Sequence, residues 1–302
     1  VTKPKTKQPL VVDPHQLLKR YLVYIEKVEN VAVSTYKNRK YILMAFFDTF
    51  GISDVRKLTI QMVDEHLIAR GVDKKPATIQ AERQILRSYF WFCQTYHDVE
   101  MQFDWSMVRR VAVPAPRIET FTAEEIAGVV SQCKVKQDGL MIATLYESGV
   151  RIGELVSLAC DDVRGSEVQV RGKGEQDRVV FITSGLADAL AGHMHEEYRS
   201  GKEYLFQPIQ HHYNHPNFKY GKCAVRDRIK ARFAEAGLEG MHPHQLRHSY
   251  AITALRAGMD VRTLQKLLGH RNIDTTMRYL QLTDRHIEEN YHKYFRRSVY
   301  RG

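Results

Sequence analysis

At 302 residues, with 43% hydrophobic and 26% charged residues, the chain has room for two ordinary domains and the composition of a folded globular protein. Its 45 Lys and Arg against 35 Asp and Glu leave a formal net charge of +10. That balance favours a polyanionic partner, because each phosphate neutralised by a basic side chain releases condensed counterions. No run approaches the roughly 18 apolar residues of a membrane span, and the opening VTKPKTKQPL lacks a signal-peptide core, so a cytoplasmic protein without membrane association is expected. Cys93, Cys133, Cys160 and Cys223 stand far apart with no CxxC pair, which argues against a zinc ribbon or a disulfide scaffold. The histidines of HHYNH, His211, His212 and His215, have no neighbouring Cys or carboxylate to complete a ligand set and are expected to lie in a solvated loop.

Four segments with helical apolar spacing are predicted between about Pro14 and His97. The first carries Leu17, Leu18, Tyr21, Leu22 and Ile25. The second follows Ser34 as N-cap, carries Tyr41, Ile42, Ala45 and Phe46, and stops before Gly51. A third runs from near Thr59 to Gly71, and the fourth opens at Pro76 and carries Ile79, Ile85, Leu86, Tyr89, Phe90 and Trp91. Lys37, Arg39, Lys40, Arg83 and Arg87 fall outside these apolar sets; they offer a phosphate-facing surface, or simply the solvated face of amphipathic helices.

The stretch VAVPAPRIE from Val111 to Glu119 is proline-bearing and aperiodic, which divides the chain into domains of residues 1–113 and 120–302 joined by a 114–119 linker. Thr122 and Glu125 have capping-box spacing for the first helix of the second domain. A helix near Gly139 to Tyr146 leads into the turn ESGVRIGEL, whose Glu154 to Leu158 portion is again helical. The period then changes to two, with Val168, Val170, Val179 and Phe181 alternating about a Gly-Lys-Gly turn, which predicts a β-hairpin. Helical patterns resume after Ser184, and a polar loop spans Gln207 to Gly221. The expected fold is mainly α, a helical bundle followed by a mostly helical domain with a small β element.

Cationic and proton-transferring groups recur in the second domain: Arg151 in ESGVRIGEL, Lys173 in RGKGEQDR, His244 and Arg247 in HPHQLRH, His270 in LLGH, and Tyr279 in DTTMRYL. Singly each is a weak signal. In this order and spacing, across about Phe121 to His292, the set resembles the tyrosine recombinase, or phage integrase, family. The resemblance implies that Arg151 is the first catalytic arginine, Lys173 the hairpin lysine, His244 and Arg247 the H-x-x-R pair, His270 the second histidine and Tyr279 the nucleophile. It places Glu154 in a supporting role beside Arg151, and it makes the N-terminal bundle a core-binding, DNA-binding domain. Tyr291, Tyr294 and Tyr300 compete for the nucleophile's place, but only Tyr279 has the family's spacing from His270. His248 and Arg178 are expected to be structural residues or DNA-backbone contacts.

The chemistry accounts for these residue types. A phosphodiester repels nucleophiles, and its transition state spreads charge over the nonbridging oxygens, which the planar forks of Arg151 and Arg247 suit and to which His270 adds a hydrogen bond. A phenol with an ordinary pKa near 10 needs help to lose its proton, a role expected of His244, and Lys173 on its glycine-flanked turn suits protonation of the departing 5′-oxygen. The resemblance further implies a covalent 3′-phosphotyrosyl intermediate, double-stranded DNA as partner, a homo-oligomer, a tetramer when two sites are paired, and no metal or ATP. The tail carrying Ile287, Tyr291, Tyr294 and Phe295 is expected to form an amphipathic helix that docks on its own or a neighbouring subunit, and the resemblance favours the neighbour. A type IB topoisomerase shares the chemistry, and a non-catalytic architectural DNA-binding protein would share the charge and helices.

Overall fold

The structure is a computed structural model that describes residues 12–114, 119–172, 177–198, 203–208 and 219–280. Four sequence expectations fall on other residues and so lie outside the described ones: Lys173, the centre of the linker, the HHYNH segment and the tail beyond Leu280. The chain separates into two compact units, Val1–Pro116 and Arg117–Gly302, with the division inside the segment expected to be a linker.

The first unit is built from α1 (Pro14–Lys27), α2 (Val33–Phe50), α3 (Ile60–Gly71) and α4 (Pro76–His97). Asp13 caps α1 by accepting from the His15 backbone N–H, with Pro14 at the first helical position, and Thr59 caps α3 by accepting from Met62. The second helix opens differently from expectation. Ala32 is its N-cap with no side-chain bond, so Ser34 lies inside the first turn, and Tyr41 is exposed while Ile42, Leu43, Phe46 and Phe47 are buried. The apolar stripe of α1 meets Phe46, Phe47, Leu86, Tyr89 and Phe90 in one core. Edge-to-face pairs within it, such as Tyr21 on Tyr89 at 5.6 Å, are the geometry aromatic quadrupoles prefer.

The second unit contains α5 (Ala123–Gln132), α6 (Lys136–Ser148), the one-turn α7 (Ile152–Leu155), strands β1 (Val163–Arg164), β2 (Glu167–Val170) and β3 (Arg178–Phe181), then α8 (Ser184–Tyr198), α9 (Lys222–Glu235), α10 (Pro243–Arg256), α11 (Val261–Leu268) and α12 (Asp274–Leu280). The Thr122–Glu125 capping box is formed in both directions. The predicted hairpin is part of a three-stranded antiparallel sheet in the order β1-β2-β3, with Val168 opposite Val180 and Val170 opposite Arg178. Val168, Val170 and Val180 face the core. Val179 and Phe181 stand on the solvent side, so the phase of β3 is one residue away from the alternation expected, and a one-residue change of phase reverses the face of every side chain in a strand. α6 is the central helix: eight of its residues from Gln137 to Leu145 and Ser148 are buried, and it packs against α5, α7, α8, α9 and α10.

Candidate active site

Three helix ends bring the chemistry-bearing residues of the second unit together. α6 stops at Gly149, whose φ of +64° is left-handed, and a Cβ there would lie 2.5 Å from the ring of Tyr250. Only glycine meets both constraints. The chain leaves this turn through Arg151, the N-cap of α7. Its backbone N–H donates to Glu154 Oε2 at 2.7 Å and its Nη1 donates to Glu154 Oε1 at 3.0 Å, so one carboxylate closes the helix start and orients the side chain. Arg151 Nη2 reaches the Gly269 carbonyl at 3.4 Å. The same carboxylate accepts both prongs of Arg178, at 3.1 and 2.8 Å, while Arg178 Nε donates to the Leu267 carbonyl. Burial by itself would raise the Glu154 pKa; Arg178 and Arg151 more than offset that and hold it below the usual range.

α10 starts with Pro243 in its first turn and presents His244, Arg247 and His248 at spacings of three and four, one above another on neighbouring faces. Arg247 points inward and is 1% exposed. It donates from Nη1 to the Gly149 carbonyl at 2.7 Å and from Nη2 to the Leu268 carbonyl at 2.6 Å. These are carbonyls at the C-terminal ends of α6 and α11, where the partial negative charge of the helix dipole collects and backbone acceptors lack helical partners. The ends of two helices thus solvate a buried cation. Burial first, then the charge of Arg151, lowers the Arg247 pKa to about 10, which leaves it charged at neutral pH.

α11 ends at Gly269 with φ +65°, and the next residue, His270, faces Arg247. His270 Nε2 lies 2.9 Å from Arg247 Nη2 and its Nδ1 lies 2.9 Å from Thr276 Oγ1. A guanidinium only donates, so Nε2 accepts and the ring proton is on Nδ1, directed at Thr276. Burial, followed by Arg247 and Arg151, pushes the His270 pKa down to about 4, consistent with this neutral tautomer.

Tyr279 lies on α12, one turn after Thr276, and is 4% exposed. His248 Nδ1 is 2.8 Å from its hydroxyl oxygen. Burial raises the phenol's pKa, opposed by the fields of Arg247 and Arg151. His248 is pushed down to about 4 by burial, then His244 and Arg247. His244, exposed at the rim, meets the His248 ring edge-on with centroids 4.5 Å apart, and its pKa is also lowered, by burial of part of the ring and by Arg247 and Arg151.

Arg151, Glu154, Arg247, His270 and Tyr279 therefore occupy one hydrogen-bonded and electrostatically linked site, with His244 at its edge. Arg178 is 8% exposed in its side chain and engaged with Glu154, so it lies within the cluster and not on the exposed surface. His248 is the histidine that touches Tyr279, and Thr276 fixes the tautomer of His270. Helical spacing marks His244 and His248 as neighbours but not which of them faces a tyrosine 31 residues downstream.

The basic residues of the first unit divide. Lys37, Lys40 and Arg87 are exposed, and Arg39 is half-buried between the Tyr21 hydroxyl at 3.0 Å and Glu29 at 2.9 Å. Arg83 departs from the expected phosphate-facing surface: it is 4% exposed, donates to the Val108 and Arg109 carbonyls at 2.5 and 2.9 Å, and lies over the Trp105 ring at 5.5 Å. Those carbonyls come from an irregular segment 25 residues away, so the guanidinium anchors that segment. Among the described residues no group of three or more His, Cys, Asp or Glu is placed to hold a metal, and no helix is long and apolar enough to cross a membrane.

Residues 117–286 match the phage integrase family. Tyrosine recombinase XerA of Thermococcus kodakarensis is 29% identical over 285 residues, covering 92% of this chain and 94% of that protein. XerA of Thermococcus onnurineus is 34% identical over 211 residues, covering 68% of this chain and 71% of its own. Among solved structures, the XerH recombinase in a post-cleavage complex with palindromic difH substrate shares the fold with a TM-score of 0.72 at 18% identity, over 93% of this chain and 84% of that one. Lambda integrase residues 75–356 bound to DNA give 0.66 at 17% identity, over 86% and 92%. The family match spans more than half of the chain and coincides with the unit that carries the arginine, histidine and tyrosine cluster, and the chain belongs to the phage integrase family of tyrosine recombinases.

Proposed function

We propose that the protein is a site-specific recombinase that cleaves and rejoins double-stranded DNA through a covalent 3′-phosphotyrosyl intermediate on Tyr279, exchanging strands between two sites. The observation that carries this is the placement of Tyr279 within the fields of Arg247 and Arg151, in a unit whose family is shared with such enzymes. Arg151 and Arg247 bind the nonbridging oxygens of the scissile phosphate and stabilise charge that grows there during attack. Glu154 and Arg178 hold Arg151 in place. His270 accepts from Arg247 in the DNA-free site, so its hydrogen bond to phosphate requires that the Arg247 contact be exchanged or the ring be protonated. Lys173 protonates the leaving 5′-oxygen. The bond energy is conserved in the tyrosyl ester, and a 5′-hydroxyl from the second duplex reverses the attack without ATP or metal.

The acting form is a homo-oligomer, tetrameric when two sites are paired, working in the cytoplasm, with the first unit as a core-binding domain whose exposed Lys37, Lys40 and Arg87 meet the DNA backbone. The test uses nicked suicide duplexes bearing the sequence that the protein selects from a random pool. A covalent adduct lost in Tyr279→Phe, together with exchange of strands between two labelled duplexes, is the expected result. Adduct formation with supercoil relaxation but no exchange would assign a topoisomerase instead, and binding without any adduct an architectural protein.

A further inference from the structure

The contact between His248 and Tyr279 has no role in the function outlined so far. The imidazole Nδ1 is 2.8 Å from the phenolic oxygen, and the two rings are 5.5 Å apart with an interplanar angle of 57°. Burial and the neighbouring His244 and Arg247 keep His248 neutral, with its pKa down at about 4. A neutral imidazole has one bare nitrogen, and a buried phenol must place its hydrogen on an acceptor. Tyr279 therefore donates, His248 Nδ1 accepts, and the ring proton of His248 is on Nε2. Among the described residues it is this histidine that shares a side-chain hydrogen bond with Tyr279, while His244 meets the His248 ring edge-on.

We propose that His248, and not His244, takes the proton from Tyr279 as its oxygen attacks phosphorus, a role that rests on the recombinase function above. In this step the bond from phenolic oxygen to phosphorus forms and the phenolic proton moves to Nδ1. The bond from phosphorus to the 5′-oxygen breaks, its electron pair stays on that oxygen, and the oxygen receives a proton from the general acid, the role given to Lys173. On rejoining, the proton on Nδ1 returns to the departing phenolate. The scissile phosphate assists, because its negative charge offsets Arg247, one of the groups that disfavour the imidazolium. His244 is then a positioning residue whose ring backs His248.

The test measures single-turnover covalent capture on the suicide duplex, with site binding measured in parallel. His248→Ala and His248→Asn are compared with His244→Ala, each with ordinary tyrosine or a fluorinated tyrosine of lower phenolic pKa at position 279. His248→Ala is expected to slow capture by about 10²- to 10⁴-fold, the usual contribution of a general base. His248→Asn, which keeps a planar polar group beside the hydroxyl, is slowed as well and carries the test should the alanine variant not fold. The fluorinated tyrosine restores most of the rate to both, because a more acidic phenol needs no base; lost packing or misplacement would not be corrected this way. Capture by the His248 variants at the wild-type rate, slow capture without rescue, or rescue confined to His244→Ala would overturn the assignment. A wild-type protein that forms no adduct, or a Tyr279→Phe variant that does, would remove the recombinase function itself, whatever the His248 variants do.

Discussion

Arg178 and Glu154 form a two-pronged ion pair, with guanidinium nitrogens 3.1 and 2.8 Å from the two carboxylate oxygens, and the same carboxylate holds Arg151 through both its side chain and its backbone. Glu154→Gln keeps the shape but loses the negative charge and one of the two accepting oxygens, placing an NH2 donor against a guanidinium or a backbone N–H. Its adduct formation is expected to fall about 10- to 100-fold through loss of Arg151 alignment, with duplex binding changed far less. Unfolding should become easier by about 3 kcal/mol, the scale for removing one partner of a buried pair. Rate and urea midpoint measured on one preparation check both halves.

Arg247→Lys is expected to be nearly as damaging as Arg247→Ala. An ammonium group has no planar fork with which to reach the Gly149 and Leu268 carbonyls and His270 while still presenting charge to a phosphate. Both variants should lose about 10²-fold or more in capture. A lysine variant that cleaves within a few-fold of wild type would show that charge alone suffices at this position.

Replacing the bridging 5′-oxygen of the scissile phosphate with sulfur makes a leaving group that departs without protonation. Lys173→Ala is expected to cleave ordinary DNA slowly and to regain most of its rate on the sulfur substrate, whereas Tyr279→Phe fails on both. Arg247→Ala is expected to stay impaired, since the role proposed for it concerns the nonbridging oxygens. Selective rescue of a His270 variant in place of Lys173→Ala would transfer the general-acid role to that histidine.

Stability should rise with pH across the window from about 4 to about 6.5. His248 and His270 are both pushed to about 4 in the folded protein, below the unfolded value of roughly 6.5. Within that window the unfolded chain binds more protons than the folded one, so acidification favours unfolding, and above it the contribution is constant. Glu154, depressed in the fold, adds a separate loss as the pH falls through its own lower pKa. Urea midpoints measured from pH 4 to 8 should show a slope that flattens in His270→Gln; an unchanged slope would remove His270 from the account.

Much of this was legible in the sequence because it is local. The stripe of α1, the Thr59 cap, the Thr122–Glu125 box and the hairpin are set by residues within a few positions of one another. The order of arginine, histidine and tyrosine motifs likewise pointed to residues that the fold brings together. What stayed hidden depends on distant partners. The helix face of Arg83 does not reveal that carbonyls of Val108 and Arg109 will cover its charge. The two-residue β1 is too short for any period, and β3 turns Val180 to the core together with Arg178, whose partner Glu154 is 24 residues away in sequence. His248 and His244 differ only in which one α12 comes to rest against.

Among the described residues the cluster brings together the guanidinium groups of Arg151, Arg178 and Arg247 and the carboxylate of Glu154, while burial and neighbouring charge keep His248 and His270 neutral at neutral pH. Helix-end carbonyls solvate Arg247 without cancelling its charge, so positive charge is held in the interior by the ends of two helices. A phosphate that binds these groups in the folded unit and not in the unfolded chain adds its binding free energy to folding. On the proposed function, DNA is therefore expected to raise this unit's resistance to unfolding as well as to serve as its substrate.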